Sequence, residues 1–530
     1  MHKVLTLLST ALFLSIVSYA QESEKNLWHH KDLKADGIPG ISLKQAYDYL
    51  GNKPSKKVIV AIIDGGYDIN HQALKGQLWV NEDEIAGNGL DDDNNGYIDD
   101  IHGWNFLGGS DENIINETLE LTREYRKLSA KYENSAPKKG SKEDKYWQTI
   151  KEDYLQESEE AISAAEGFLG RYESLPYYYK MLSAYTREEV LSASILSQVN
   201  SEDSVIQEAD NFLTRIATYL GGTATLDEMM AIMAPGFDYY DYEANYAYNL
   251  EFDPRSKVGD DINNPRQKGY GNNQVDEVSG FGGSHGSHVS GIVGGKSDDQ
   301  IGVTSNIELM VIRTVPSGDE RDKDVANSII YAVDNGAKVI NMSFGKEYSP
   351  NQDVVRSAVK YAEKKGVLMV HAAGNESNNT DEIKAYPDGS TSNKKVSPNW
   401  IEVGASSRGY DENLTAVFTN YGKNSVDLFA PGVEILSSVP EDEYEANSGT
   451  SMAAPVVSGV AAMLMSYFPN LSAAEIKKVL VDSSSKIDLK VLKPGTDELV
   501  DFSELSKSGG IVNALEAVKM AESRIKISRR

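Results

Sequence analysis

The chain has 530 residues, with 52 basic against 80 acidic side chains, a formal charge of −28 and no cysteine. That charge argues against a nucleic-acid partner or an anionic membrane surface, since both need a basic face. Without thiols, disulfides, thiolate metal sites and a lipid anchor on an N-terminal cysteine are excluded. The length predicts one large domain carrying an insertion, or two domains.

Residues 1–20 combine His2 and Lys3, the apolar run Val4 to Val17 and the ending Ser18-Tyr19-Ala20. This is the pattern of a secretory signal peptide, so an exported protein is expected, periplasmic or extracellular, with no integral membrane segment after removal. Residues 21–57 are polar and turn-rich around Asp36-Gly37-Ile38-Pro39-Gly40, with a short helix at 42–50, and read as a leader strapped across a domain. Val58 to Ile63 is an uninterrupted apolar, β-branched run, the pattern of a parallel strand covered on both faces, and Asp64 stands at its C-terminal end.

In Asn88 to Asp100 the oxygen side chains of Asp91, Asp93 and Asn95, the glycine Gly96 and the carboxylate Asp99 have the alternating spacing of a calcium loop. Position 102 is histidine, not glutamate, so a loop site is expected and not a helix-flanked one. From 111 to 274 charged helical sequence dominates. Thr186-x-x-Glu189 and Thr225-x-x-Glu228 read as capping boxes, Gly221-Gly222 and Pro235-Gly236 as stops, and no internal repeat is evident. Phe237 to Tyr248 is rich in tyrosine, and aromatics at such density generally pack.

Beyond 275, strands at 308–313, 338–342, 367–372 and 400–404 alternate with helices at 323–335 and 353–365. This predicts an α/β fold with a doubly wound, mostly parallel sheet over 58–110 and 275–523, interrupted by an acidic α-helical insertion. His285 opens a small-residue helix. Gly449 to Met465 reads as a buried helix whose start near Ser451 is set by Pro455, a residue tolerated in a first turn. No further module is expected after the closing helices at 472–481 and 512–521.

Strand C-termini and helix N-termini share one edge of such a sheet. Asp64, His285, Ser451 and Asn375, which follows the strand 367–372, all fall there. Acyl transfer needs this inventory: a hydroxyl nucleophile, an imidazole to carry its proton, a carboxylate to orient the imidazole and donors for an oxyanion. The order Asp, His, Ser is that of subtilisin. Ala61-Ile-Ile-Asp64-Gly-Gly, His285-Gly-Ser-His-Val-Ser-Gly291 and Gly449-Thr-Ser451-Met-Ala-Ala-Pro455 resemble the three subtilase motifs. His371-Ala-Ala-Gly-Asn375 is similar to the stretch carrying that family's oxyanion asparagine.

The resemblance implies a secreted, monomeric serine endopeptidase acting on proteins or peptides. Ser343-Phe344-Gly345 and Ala372-Ala373-Gly374 would be the edges that hold the substrate, and Ala385 would lie near an uncharged P1 pocket floor. The departures are Gly65 where the family carries Ser or Thr, Ser287 for Thr, and a separation of 285 − 64 = 221 positions between Asp64 and His285. His288 reads as a structural neighbour and His371 as a strand-end residue. Two rival readings exist: an esterase elbow at Gly282-Gly-Ser284-His-Gly286, which lacks the strand it needs, and a weak or inactive binding module using the helical insertion.

Overall fold

The computed structural model describes residues 27–280, 282–297, 302–392 and 395–528; the expected signal peptide at 1–20 lies outside the described residues. Among the described residues the main sheet consists of β1 (Val58–Asp64), β2 (Gly103–Asn105), β3 (Ile307–Arg313), β4 (Val339–Met342), β5 (Leu368–Ala372), β6 (Trp400–Ser406), β7 (Leu428–Pro431), β8 (Ser485–Lys486) and β9 (Gly510–Ile511). They lie in the order β8-β9-β7-β6-β5-β4-β1-β3-β2. Every pairing is parallel except the short β8–β9 edge. The chain enters at β1, moves to one side for β2 and β3, then crosses to the other for β4. In open α/β sheets such a reversal is where a ligand cleft forms.

The apolar run of β1 is double-faced, as expected. Val60 and Ile62 belong to one core together with Val289, Ile292, Val456 and Val460. Ala61 and Ile63 belong to the opposite core, with Val325, Ile329, Val355 and Val359. The helices α1 (His285–Gly294) and α4 (Thr450–Tyr467) therefore cover one face, while α2 (Asp322–Asp334) and α3 (Gln352–Lys365) cover the other. This is a three-layer α/β/α sandwich. Helix α4 is long and apolar enough to cross a bilayer by composition, but 83% of that stretch is buried in the fold. Each large apolar side chain it buries contributes about 1.5–3 kcal/mol.

Pro455 is tolerated for a different reason than its position suggested. It is the sixth residue of α4, beyond the first turn. Its missing N–H leaves the Ser451 carbonyl without a helical donor, and Ser343 Oγ–H supplies one at 2.9 Å. The leader is likewise more than a strap: Trp28, Ile41, Leu43, Ala46 and Leu50 are buried in the same core as α1 and α4, and Trp28 Nε1 donates to Val433 O at 3.0 Å.

Two compact units make up the chain, one formed by the segments to Glu120 and from Asp253, the other by Leu121–Phe252. The helical unit is thus narrower at both ends than the 111–274 expected. It is built on the 45-residue helix Lys142–Thr186, with Ser204–Tyr219 and Leu226–Tyr242 packed on it around Leu175, Leu182, Leu213 and Met229. Thr225 and Glu228 form the capping box. Thr186, in contrast, ends a helix and turns its hydroxyl back to Leu182 O. Pro235 and Gly236 lie inside Leu226–Tyr242, whose burial at Met229, Ile232 and Met233 carries the helix through the lost hydrogen bond. The tyrosine-rich run packs: Tyr240 stacks on Phe168 and Phe237 lies against Tyr172.

Candidate active site

Asp64 ends β1, 1% exposed. Its Oδ1 accepts from Gly65 N at 2.8 Å and meets His285 Nδ1 at 2.6 Å. A carboxylate oxygen can only accept, so Nδ1 carries the proton and Nε2 is left as the basic nitrogen. His285 is the first residue of α1, and that helix sits unusually close to the end of β1. A Cβ on Gly286 would lie 2.5 Å from Gly66 O and 2.7 Å from Tyr67 Cε1, so only glycine admits this approach. Ser287 Oγ accepts from Asp68 N at 2.7 Å, the same clamping that the expected threonine would give. Burial disfavours the imidazolium, but the charge and hydrogen bond of Asp64 more than offset it, so His285 titrates above the ordinary histidine value.

The replacement of a hydroxyl residue by Gly65 has a visible counterpart. Asp64 Oδ2 is buried and has no hydrogen-bond partner among the described residues. A Cβ at position 65 would approach Val315 O to 2.9 Å, so a close backbone neighbour excludes the side chain that would have served that oxygen. His288 is a packing neighbour: its Nε2 faces Glu445 O at 3.0 Å and burial pushes it down to about 3.

Ser451 is the second residue of α4, and α1 and α4 pack against one another. Its hydroxyl donates to Ser343 O at 3.1 Å. No hydrogen bond joins Ser451 to His285 among the described residues. Asn375 lies beside the same helix start. Its Oδ1 accepts from Thr450 N at 2.9 Å and Thr450 Oγ1 at 3.0 Å. Two donors on the oxygen fix the orientation of the amide and turn Nδ2, which has no partner among the described residues, toward the helix mouth. Thr450 Oγ1 in turn accepts from Gly374 N at 3.1 Å. An imidazole held by a carboxylate, a hydroxyl at a helix N-terminus and free amide donors are thus carried on the rim where β1, β5, α1 and α4 converge.

The family model that matches this chain is that of the subtilase family, over residues 55–505. The chain belongs to the subtilase family. It is 31% identical over 346 residues to the cell wall-associated protease of Bacillus subtilis (strain 168), covering 62% of this chain and 35% of that one. It is 37% identical over 209 residues to the thermophilic serine proteinase of Bacillus sp. (strain AK1), covering 38% and 47%. With thermitase of Thermoactinomyces vulgaris it shares 33% identity over 210 residues, covering 39% of this chain and 69% of that one. The chain therefore spans about a third of the first relative's length and under half of the second's.

The two expected substrate edges of this subtilase differ in their backbone state. Gly345 is exposed and Phe344 half-buried. The peptide groups of Gly345 make no hydrogen bond among the described residues, whereas Lys346 pairs with Tyr386 in both directions at 2.9 Å. The other edge is already engaged. Ala372 belongs to the β5–β6 ladder, Ala373 N donates to Val403 O, and Gly374 O accepts from Asn420 N. Asn420 Nδ2 also donates to Ala373 O at 2.8 Å. Ala372–Gly374 can line a wall, but its amide hydrogens are not free for an added strand.

The acidic loop organises itself differently from its spacing. Asp91 accepts from Asn95 N and Gly96 N at 3.0 and 2.9 Å. Asp99 accepts from Gly87 N, Asn88 N and Gly89 N at 2.7, 3.1 and 2.9 Å. Asn95 Oδ1 accepts from Tyr97 N at 2.8 Å. All three hold the loop's own backbone. The carboxylates that converge are Glu84, Asp93 and Asp100, each with an oxygen within 4.8 Å of the others. Only Asp93 was singled out by spacing. Burial pushes the Asp100 carboxyl up to about 6, with hydrogen bonds from Tyr331, Asn81 and Asn95 working against it. Three hard oxygen donors gathered this closely fit a divalent cation such as calcium. Glu84 could have been found as the nearest upstream carboxylate, and Asp100 as the acid ending the loop.

Proposed function

We propose that this chain is a serine endopeptidase, exported by way of residues 1–20, in which Ser451 is the nucleophile, His285 the general base, Asp64 its orienting carboxylate and Asn375 an oxyanion donor. The observation that carries the reading is the 2.6 Å contact between His285 Nδ1 and Asp64 Oδ1 on the rim to which α4 brings Ser451. As a peptide carbonyl arrives, the Ser451 hydroxyl leaves the Ser343 carbonyl and gives its proton to His285 Nε2 while Oγ attacks the carbonyl carbon. Catalytic hydrogen bonds are commonly loose before substrate binds.

The resulting oxyanion is met by Asn375 Nδ2 and by the Ser451 amide, one of the unpaired donors at the start of α4. Collapse expels the amine, which takes the proton from Nε2, and water then repeats the sequence to free the acid. The free edge at Phe344-Gly345 is the side along which the substrate backbone adds as a strand. We also propose calcium at the Glu84, Asp93 and Asp100 carboxylates, where it would stabilise the loop and take no part in the chemistry.

A phosphonylating serine reagent tests the reading. It should label Ser451, and Ser451→Ala should abolish both labelling and casein cleavage. Labelling at Ser284 would favour an esterase, and labelling at neither serine a binding module.

A further inference from the structure

A second buried carboxylate–imidazole pair lies on the same sheet, and no step above uses it. His371 of β5 and Glu402 of β6 are register partners, with His371 Nδ1 2.8 Å from Glu402 Oε1. The other carboxylate oxygen accepts from Trp400 Nε1 at 2.7 Å. With Nδ1–H committed to the carboxylate, the neutral ring presents Nε2 as a lone-pair acceptor. That nitrogen belongs to a side chain 1% exposed and has no hydrogen-bond partner among the described residues. Interiors seldom leave a polar atom in this state, because the cost of removing it from water is not returned.

Directly above it lies the free strand edge. The position that a Cβ on Gly345 would take is 3.8 Å from His371 Nε2 and 3.3 Å from Tyr386 O. The Phe344 ring meets the imidazole edge-on, with centroids 6.4 Å apart. An exposed glycine with unpaired peptide groups thus covers a buried, unpaired acceptor that a carboxylate holds in one tautomer.

We propose that His371 Nε2 is a specificity-determining acceptor beneath the substrate edge, selecting at P1, the residue whose carbonyl is cut, a side chain that ends in a hydrogen-bond donor. Carboxamide, hydroxyl and ammonium tips qualify. An apolar isostere would leave Nε2 unpaired, and a carboxylate tip would face both its lone pair and the Glu402 charge. The inference rests on the peptidase reading and adds a polar acceptor to the uncharged P1 pocket floor expected near Ala385. Glu402 and Trp400 act through His371 as positioning residues.

The test uses two pairs of fluorogenic peptides that differ only in the P1 donor, glutamine against methionine and lysine against norleucine. The full-length enzyme should cleave the donor peptide of each pair with a kcat/KM about tenfold higher, the size of one hydrogen bond. In His371→Leu/Glu402→Gln, which removes acceptor and charge together, both ratios should fall to about one. Gly345→Ala, which places a methyl group over Nε2, should do the same from outside should the double variant fail to fold. Equal rates within each pair for the wild type, or an unchanged ratio in either folded variant, would overturn the proposal. Ser451 labelling is measured in parallel, so a wild type that takes no label fails as a peptidase, which is distinct from a labelled, active enzyme that ignores the P1 donor.

Discussion

Asp64→Asn separates charge from geometry at this site more cleanly than an Asp-to-Asn change usually does. One oxygen, Oδ1, accepts both from Gly65 N and from His285 Nδ1, while Oδ2 has no partner among the described residues. An asparagine placing its carbonyl oxygen at the Oδ1 position keeps both hydrogen bonds and puts its NH2 where Oδ2 was. The Nδ1–H tautomer survives and only the negative charge is lost. Opposite unit charges about 4 Å apart at an effective dielectric near 20 interact by about 4 kcal/mol. The His285 side chain is 32% exposed, so solvent takes part of this. About 3 kcal/mol of imidazolium stabilisation remains, or roughly a hundredfold in kcat/KM. Where the tautomer is lost as well, the penalty is about 10⁴.

The pH profile provides the second readout. His285 titrates above the ordinary histidine value because Asp64 outweighs burial, and catalysis needs the neutral ring. The acid limb of kcat/KM should therefore lie above 6.5 in the wild type. Without the carboxylate charge, burial, the largest influence on this group, is opposed only by the weaker neutral hydrogen bond, so in Asp64→Asn the limb should move to lower pH. The same shift bears on stability: a raised histidine pKa stabilises the fold most fully below the unfolded value of 6.5, and this is lost as pH rises through the folded value. Initial rates on a fluorogenic peptide from pH 5 to 9 measure both effects. An unmoved acid limb, or an unchanged rate, would refute the claim that Asp64 acts through His285.

Asn375→Ala should lower kcat by about 10²–10³ with little change in KM, the scale a family relative shows for loss of such a donor; equal loss in KM would mean a binding role. It should also lower Tm, since Thr450 N and Oγ1 both lose their acceptor. Ser343→Ala leaves the Ser451 carbonyl without the donor that compensates for Pro455, and chemical denaturation should report a loss of about 1–2 kcal/mol. A chelator should lower Tm. Asp93→Asn and Glu84→Gln should remove that response, whereas Asp91→Asn, which touches only loop amides, should keep it; a response lost with Asp91 and kept in the other two would return the cation to the spacing-derived set. Gly65→Ser should destabilise the fold, because its Cβ meets Val315 O at 2.9 Å, and a more active, equally stable variant would contradict that packing.

The parts of this fold legible in the sequence are those in which one short segment decides its own structure. Val58–Ile63 can only be a strand buried on both faces, and its residues do alternate between two cores. Thr225 and Glu228 likewise cap their helix as their spacing predicts. The strands β7, β8 and β9 escaped because they are short and gain stability only from neighbours distant in sequence. Pro235 and Thr186 misled for the same reason. A proline costs a helix one hydrogen bond, and whether the helix continues depends on burial supplied by another element, which no local pattern records.

The same distinction divides the two polar sites. Asp64, His285 and Ser451 stand where a strand ends or a helix begins, so the backbone sets their directions and the topology gathers them on one rim. A surface loop offers no such constraint, because each carboxylate in it can serve either the chain's own amides or a cation. Asp99 has three N–H groups of Gly87, Asn88 and Gly89 within reach, and several backbone donors are a strong substitute for a cation. Asp100, fully buried beside Asp93, is met by the side chains of Asn81, Asn95 and Tyr331 and by no backbone N–H among the described residues, and burial pushes it up to about 6. Alternating spacing identifies the oxygens that can turn inward. The set that converges is Glu84, Asp93 and Asp100, and Glu84 joins it while also accepting from the N–H groups of Asp92, Asp93 and Asp99, so a carboxylate outside the spacing pattern serves the loop backbone and faces the other two acids at once.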